Sequence, residues 1–297
     1  MRFSPRFLLI WVLFAGCCTV LSARDLYVDN MGGDDRFDGS AQNPQGGSGG
    51  GPCRTIARAL RSAQNGDRII LKNTGQPYRE SITLQGDRHS GTQLTPFEII
   101  GNGATLDGTT APVGDRWEHV KGELFRYAPA RKSHQVLYMD GAPANRIVSK
   151  ELGLPKLAPL QWAYHNRHIY FRTEPERIPS QYKLRHASLP VGVGLYQVRN
   201  VIISDLIVQG YQLDGVNLHD SAFSCLLLGV TARGNARSGV SVGGASRAYL
   251  EECVLGDNGA AQLRIEGYSK TQLIKTKLLD NTAPKVVRGP GSPKLEQ

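Results

Sequence analysis

The chain has 297 residues, of which 40% are hydrophobic and 7% aromatic, with 34 glycines and a net charge of +9. This length holds one large core or two modest domains, and a glycine-rich, aromatic-poor mix suits a turn-rich β protein better than a helical one. Nothing resembles a nucleic-acid module. The basic charge therefore points to polyanions such as acidic polysaccharide, sulfated glycan or a membrane surface, or else serves solubility alone.

Residues 1–23 read as a secretory leader. Arg2 and Arg6 precede the apolar run Phe7 to Ala15, and Ser22-Ala23 offers small residues for cleavage. The run is short for a membrane span. A second reading stays open: Phe14-Ala15-Gly16-Cys17 resembles a bacterial lipobox, and a lipid on Cys17 would anchor the protein to the envelope. The expected location is thus secreted or cell envelope. Cys53, Cys225 and Cys253 remain, an odd number with no CxxC spacing. This pattern gives neither a disulfide framework nor a structural zinc site.

Residues 24–108 open with a short strand, Leu26-Tyr27-Val28, and an acidic loop containing Gly33-Asp34-Asp35 and Asp38. The loop is the one candidate for calcium; no other cofactor is implied. Ile56, Ala59, Leu60 and Ala63 recur at helical spacing, so a short amphipathic helix is predicted there. Asn65-Gly66-Asp67 ends it, and Arg68-Ile69-Ile70-Leu71 is a strand. The succession YVDN, GGDD, TIARAL, GDRIIL, YRESITL and PFEIIGNGATLDG resembles the N-terminal cap and first coils of pectin-lyase-like β-helix proteins. The resemblance implies an all-β, right-handed parallel β-helix whose open end is covered by a short capping helix. A solenoid end carries an unpaired strand edge and an exposed core, so it needs such a cap.

Residues 109–190 break the pattern. Trp117, Leu124-Phe125-Arg126-Tyr127, Trp162 and His168-Ile169-Tyr170-Phe171 lie in short strands separated by turns such as Asp140-Gly141. A small β-rich insertion is predicted. Its aromatics are read as its core, with sugar platforms as the alternative.

Residues 191–287 carry a repeat. Asn235, Asn258 and Asn281 are 23 apart, and Val240-Ser241-Val242, Leu263-Arg264-Ile265 and Val286-Val287 follow at the same interval. One coil of a parallel β-helix has this length, so equal positions stack about 4.8 Å apart. The three asparagines are expected to form one turn column. Residues 288–297 read as a tail.

Alternation in Val216-Asn217-Leu218-His219 turns Asn217 and His219 outward. The same parity places Gln262, Arg264 and Glu266 outward on the same ribbon; Asp220 lies two periods of 23 before Glu266, though the 24-residue coil between them leaves its column open, and Asp214 is a spare. A one-residue shift would exchange the faces. Two chemistries could use such a surface. A polysaccharide lyase would use Arg264 against a uronate carboxylate and His219 as base. A glycoside hydrolase would use Asp220 and Glu266 as paired carboxylates. Asn217 and Gln262 would bind substrate, and no metal ligand set is evident. A non-catalytic glycan-binding or structural protein is the alternative, because this fold hosts many functions. Arg264 with Glu266, and Asp214 with Arg237, could equally be plain surface ion pairs.

Overall fold

The structure is a computed structural model that describes residues 23–46, 49–113, 116–131, 133–148, 153–290 and 292. Residues 1–22 of the expected leader, Cys17 among them, lie outside the described residues.

Three columns of parallel strands wind around one apolar interior. The first face stacks Ile82–Gln85, Val193–Tyr196, Asp214–His219, Ser238–Val242, Ala261–Ile265 and Val286–Arg288 in order. The second face runs through Arg68–Leu71, Phe97–Asp107, Arg199–Gln209, Phe223–Leu228, Arg247–Glu251 and Lys270–Ile274. The two eleven-residue strands continue into the third face, which Thr231–Arg233, Val254–Gly256 and Lys277–Leu278 extend. Each coil passes from the second face to the third through a sharp corner. Asn102, Asp205, Glu252 and Lys275 hold positive φ there, a conformation that short polar residues tolerate best among non-glycines.

Equal rungs fill the interior with equal residue types. Ile82, Val193, Val216, Val240 and Leu263 form one buried column; Leu84, Leu195, Leu218, Val242 and Ile265 form the next. Cys53, Cys225 and Cys253 are free thiols inside this core, where they act as small apolar groups.

The predicted helix is present as Ile56–Ser62, with Ile56, Ala59 and Leu60 buried against the first coil. Thr55 caps it by accepting the Arg58 N–H, and the Glu80 carboxylate accepts the N–H groups of Ile56 and Ala57 at 2.9 Å. The acidic loop turns its carboxylates onto the protein. Asp35 accepts from Thr55 and the Arg54 amide, and Asp38 accepts from Ser40. Arg36 pairs with Asp34 and draws its carboxyl down to about 2. Among the described residues no cluster of three or more His, Cys, Asp or Glu could hold a metal.

The insertion leaves the solenoid after Asp107 and returns at Val193. It comprises a five-stranded sheet, ordered Asn145–Arg146, Gln161–His165, His168–Arg172, Leu124–Tyr127, Glu118–Lys121, and a four-stranded sheet centred on Leu184–Ala187 and Leu137–Met139. Trp162, Phe171, Tyr127 and Tyr138 are buried. These aromatics are core, not platforms. The insertion packs on the solenoid through Tyr138, whose hydroxyl donates toward the carbonyls of Arg233 and Gly234 at 3.3 Å. Gly234 has φ 59 and would drive a Cβ into that hydroxyl, so only glycine fits the contact.

The asparagine column is shorter than the spacing suggests. Asn235 and Asn258 are fully buried and joined directly: Asn258 Oδ1 accepts the Asn235 N–H at 2.9 Å and its Nδ2 at 3.2 Å. Asn281 is exposed and caps Asp257 instead. Gln262 takes the place in between, accepting from Asn258 Nδ2 at 2.8 Å and donating to Asn281 Oδ1 at 3.3 Å.

Candidate functional site

The strands of the first face do not alternate strictly. The Asn217 Nδ2 donates to Asp214 Oδ2 at 2.8 Å. Two residues three apart in an ideal strand point to opposite faces, so the alternation slips by one between them. Gly215 and Gly239 occupy the slip. A Cβ on either would lie 2.7–2.8 Å from the Nδ2 of Asn235 or Asn258. The third coil carries Gln262 at the equivalent place, and its amide therefore turns into the asparagine column. Gln262 is fully buried; the expectation that it faces outward and binds substrate is corrected.

Beyond the slip the expected parity holds. Gly194, Asn217, Ser241 and Arg264 form one column on the side away from the core, Ser241 itself being buried. Tyr196 pairs with His219, Gly243 faces the His219 ring, and Glu266 follows one coil on. These are the second column. His219, Asn217, Arg264 and Glu266 therefore share one surface, with His219 and Glu266 two rungs apart, about 10 Å. Asp220 departs from it. It sits at the corner with φ 48 and stacks over Gly244 rather than in the column of Glu266. Its carboxylate lies 3.6 Å from His219 Nε2, both side chains being exposed.

The charged groups are partly committed. Asp214 is completely buried and forms a two-point ion pair with Arg237. The guanidinium of Arg264 donates to Ser238 Oγ and to Glu266 Oε1, each at 3.3 Å. That contact is long, and Glu266 is 46% exposed, so the pair can open to a ligand. Hydrolysis needs two available carboxylates. Asp214 is consumed by Arg237, and Asp220 and Glu266 occupy different columns.

Two residues of the site escape the sequence reading. Tyr196 is 43% exposed at one end of the ribbon; counting 23 back from His219 reaches it. His134 comes from the insertion and lies within electrostatic range of Arg237, Arg146, Asp214 and Arg264. Partial burial, then the charges of Arg237 and Arg146, push its pKa below the ordinary histidine value against the opposing pull of Asp214. No repeat or motif signals this placement.

In fold the chain is a pectin-lyase-like, right-handed parallel β-helix. A solved structure described as a glycoside hydrolase superposes with a TM-score of 0.55 and 10% identity, covering 85% of this chain and 74% of that one. The complex of XylC with xylose gives 0.44 at 10% identity over 87% and 66% of the two chains. A GH136 lacto-N-biosidase from Eubacterium ramulus gives 0.44 at 11% over 84% and 43%. At such identities the fold is what is shared. No known family model matches the sequence, and no curated protein matches it.

Proposed function

We propose that this is an exported protein that binds acidic polysaccharide along the first face, with β-elimination as the reaction the site is built to perform. The observation that carries the reading is the ribbon itself. Exposed Tyr196 stands at one end and Arg264 at the other, with His219 between them over the small residues Gly194, Ser241 and Gly243. A sugar ring stacks on a tyrosine face, and a guanidinium matches a carboxylate. Arg264 would turn from Glu266 to the uronate carboxylate and so acidify the adjacent carbon. His219 would accept that carbon's proton. The C–C bond then becomes double as the glycosidic C–O bond breaks, and its electron pair leaves with the oxygen, which takes a proton from solvent. Asp214 is held by Arg237 and Asp220 stacks over Gly244 away from Glu266, so hydrolysis is the weaker reading.

The test uses polygalacturonate and alginate with the purified protein, following unsaturated product near 235 nm and binding by affinity electrophoresis. Arg264→Ala should weaken binding by about 10- to 100-fold, the value of a charge-assisted hydrogen bond of roughly 1.5–3 kcal/mol. His219→Ala should keep binding and lose turnover. If wild type binds without turnover, the protein is a glycan-binding β-helix and only the binding half stands. If Arg264→Ala binds as wild type does, the ribbon is not the site.

A further inference from the structure

A second cleft, of about 250 Å³, lies where the insertion meets the turns of the last coils; Gln135, Arg146, Trp162, Asp257, Asn281 and Thr282 line it. Its charge arrangement is unusual. Arg146 is largely buried, with its guanidinium 5.4 Å over the Trp162 ring. A guanidinium has five N–H donors. Here one reaches the Gly259 carbonyl at a long 3.5 Å, and the buried Nε has no partner. Among the described residues no carboxylate forms an ion pair with it. Asp257, in the same cleft, accepts from Asn281 at 2.7 Å. A buried cation without a counter-ion is costly, and its place over the Trp162 ring suits it to a planar anion.

Gln135 supplies the complementary half. It is almost fully buried; its Nε2 donates to the Arg131 carbonyl at 2.9 Å, while its Oε1 is left without a donor. The residues lining this cleft thus include a cationic donor and a neutral acceptor that lack partners, both atoms being buried in its walls. We infer that it binds a hydroxy-carboxylate, with the acid on Arg146 and a hydroxyl on Gln135: a sugar acid, taken as a single residue or chain end. This site is separate from the ribbon of the first face and does not rest on that reading. The burial of Arg146 lowers its pKa, and a bound carboxylate would reverse that cost.

Binding of D-glucuronate to the full protein, measured by calorimetry against D-glucose and acetate, tests the assignment. Glucuronate should bind at least about tenfold more tightly than either comparator, since each lacks one of the two groups. Arg146→Met, which keeps the stem on Trp162, should weaken glucuronate at least tenfold and leave glucose unchanged. Gln135→Leu should erase the preference for glucuronate over acetate. The titration is repeated on the Arg264→Ala protein, where glucuronate held by the ribbon is removed; the loss caused by Arg146→Met should persist there, which separates this site from the ribbon. Glucuronate binding no better than acetate, or binding that Gln135→Leu leaves fully selective, overturns the inference even if Arg146→Met fails to fold. An Arg146 that only fastens the insertion to Gly259 would change melting temperature and no affinity.

Discussion

The solenoid and the insertion solve the same burial problem in different ways. Each coil buries its apolar side chains against the coils above and below, so one rung's chemistry is repeated by its neighbours: Val193, Val216, Val240 and Leu263 are interchangeable parts of one column. The insertion buries its aromatics against each other, and Trp162, Phe171 and Tyr127 have no equivalents elsewhere. The repeat fixes where a surface ribbon runs. The non-repeating part brings in groups that the repeat cannot supply, among them His134 and Arg146.

The largest expected effect tests whether the insertion's core stands alone. Trp162→Ala removes a fully buried indole and its hydrogen bond to the Ala144 carbonyl, a change costing about 3–5 kcal/mol. Hydrogen exchange should accelerate across Leu124–Tyr127 and His168–Arg172 while Ser238–Val242 stays protected. Equal acceleration in both regions would show that the two are one cooperative unit.

Asn258→Ala probes the opposite behaviour. It strips partners from Asn235 below and Gln262 above, both buried, and each unsatisfied group costs roughly 1–3 kcal/mol. The loss should spread to the coils on both sides. A melting curve like that of wild type would refute the column as a stabilising element.

The smallest effect is a pH dependence shared between the regions. His89 beside the cap and His186 in the insertion are buried, and burial lowers both pKa values below the ordinary 6.5. The unfolded chain then takes up protons first. Stability is full above 6.5 and declines as pH falls from there toward the folded values. Melts between pH 8 and 5 should show the decline, and His186→Phe should make it shallower. A slope unchanged by that substitution would assign the whole effect to other groups.

Much of the solenoid was legible because its physics is periodic. The 23-residue interval placed Asn217, His219, Arg264 and Glu266 on one face, and apolar Ile56, Ala59 and Leu60 marked the cap helix. Gln262 was misread because strict alternation was assumed across a strand that slips at Gly215 and Gly239. Asn281 was misread because spacing does not reveal that Gln262 intercepts its column. Asp220 fell at a corner, where a period of 23 or 24 decides the column. His134 and Arg146 were invisible because neither lies in a repeating coil: His134 is in a loop of the insertion, and Arg146 is in a short strand that pairs in parallel with Gln161–His165.

The join at Val193 bears on how the chain reaches this form. Ordinary coils stack on a partner some 23 residues away, but Val193 pairs with Ile82, across more than a hundred residues. For a flexible loop the closure entropy grows as the logarithm of length, which makes this rung harder to form by about 1.4 kcal/mol. Antiparallel pairing inside the insertion, with Thr109–Thr110 joined to Leu184–Ala187, shortens that loop once formed. The order of assembly expected is therefore C-terminal coils and insertion first, as independent nuclei, with the capped N-terminal coil docking last.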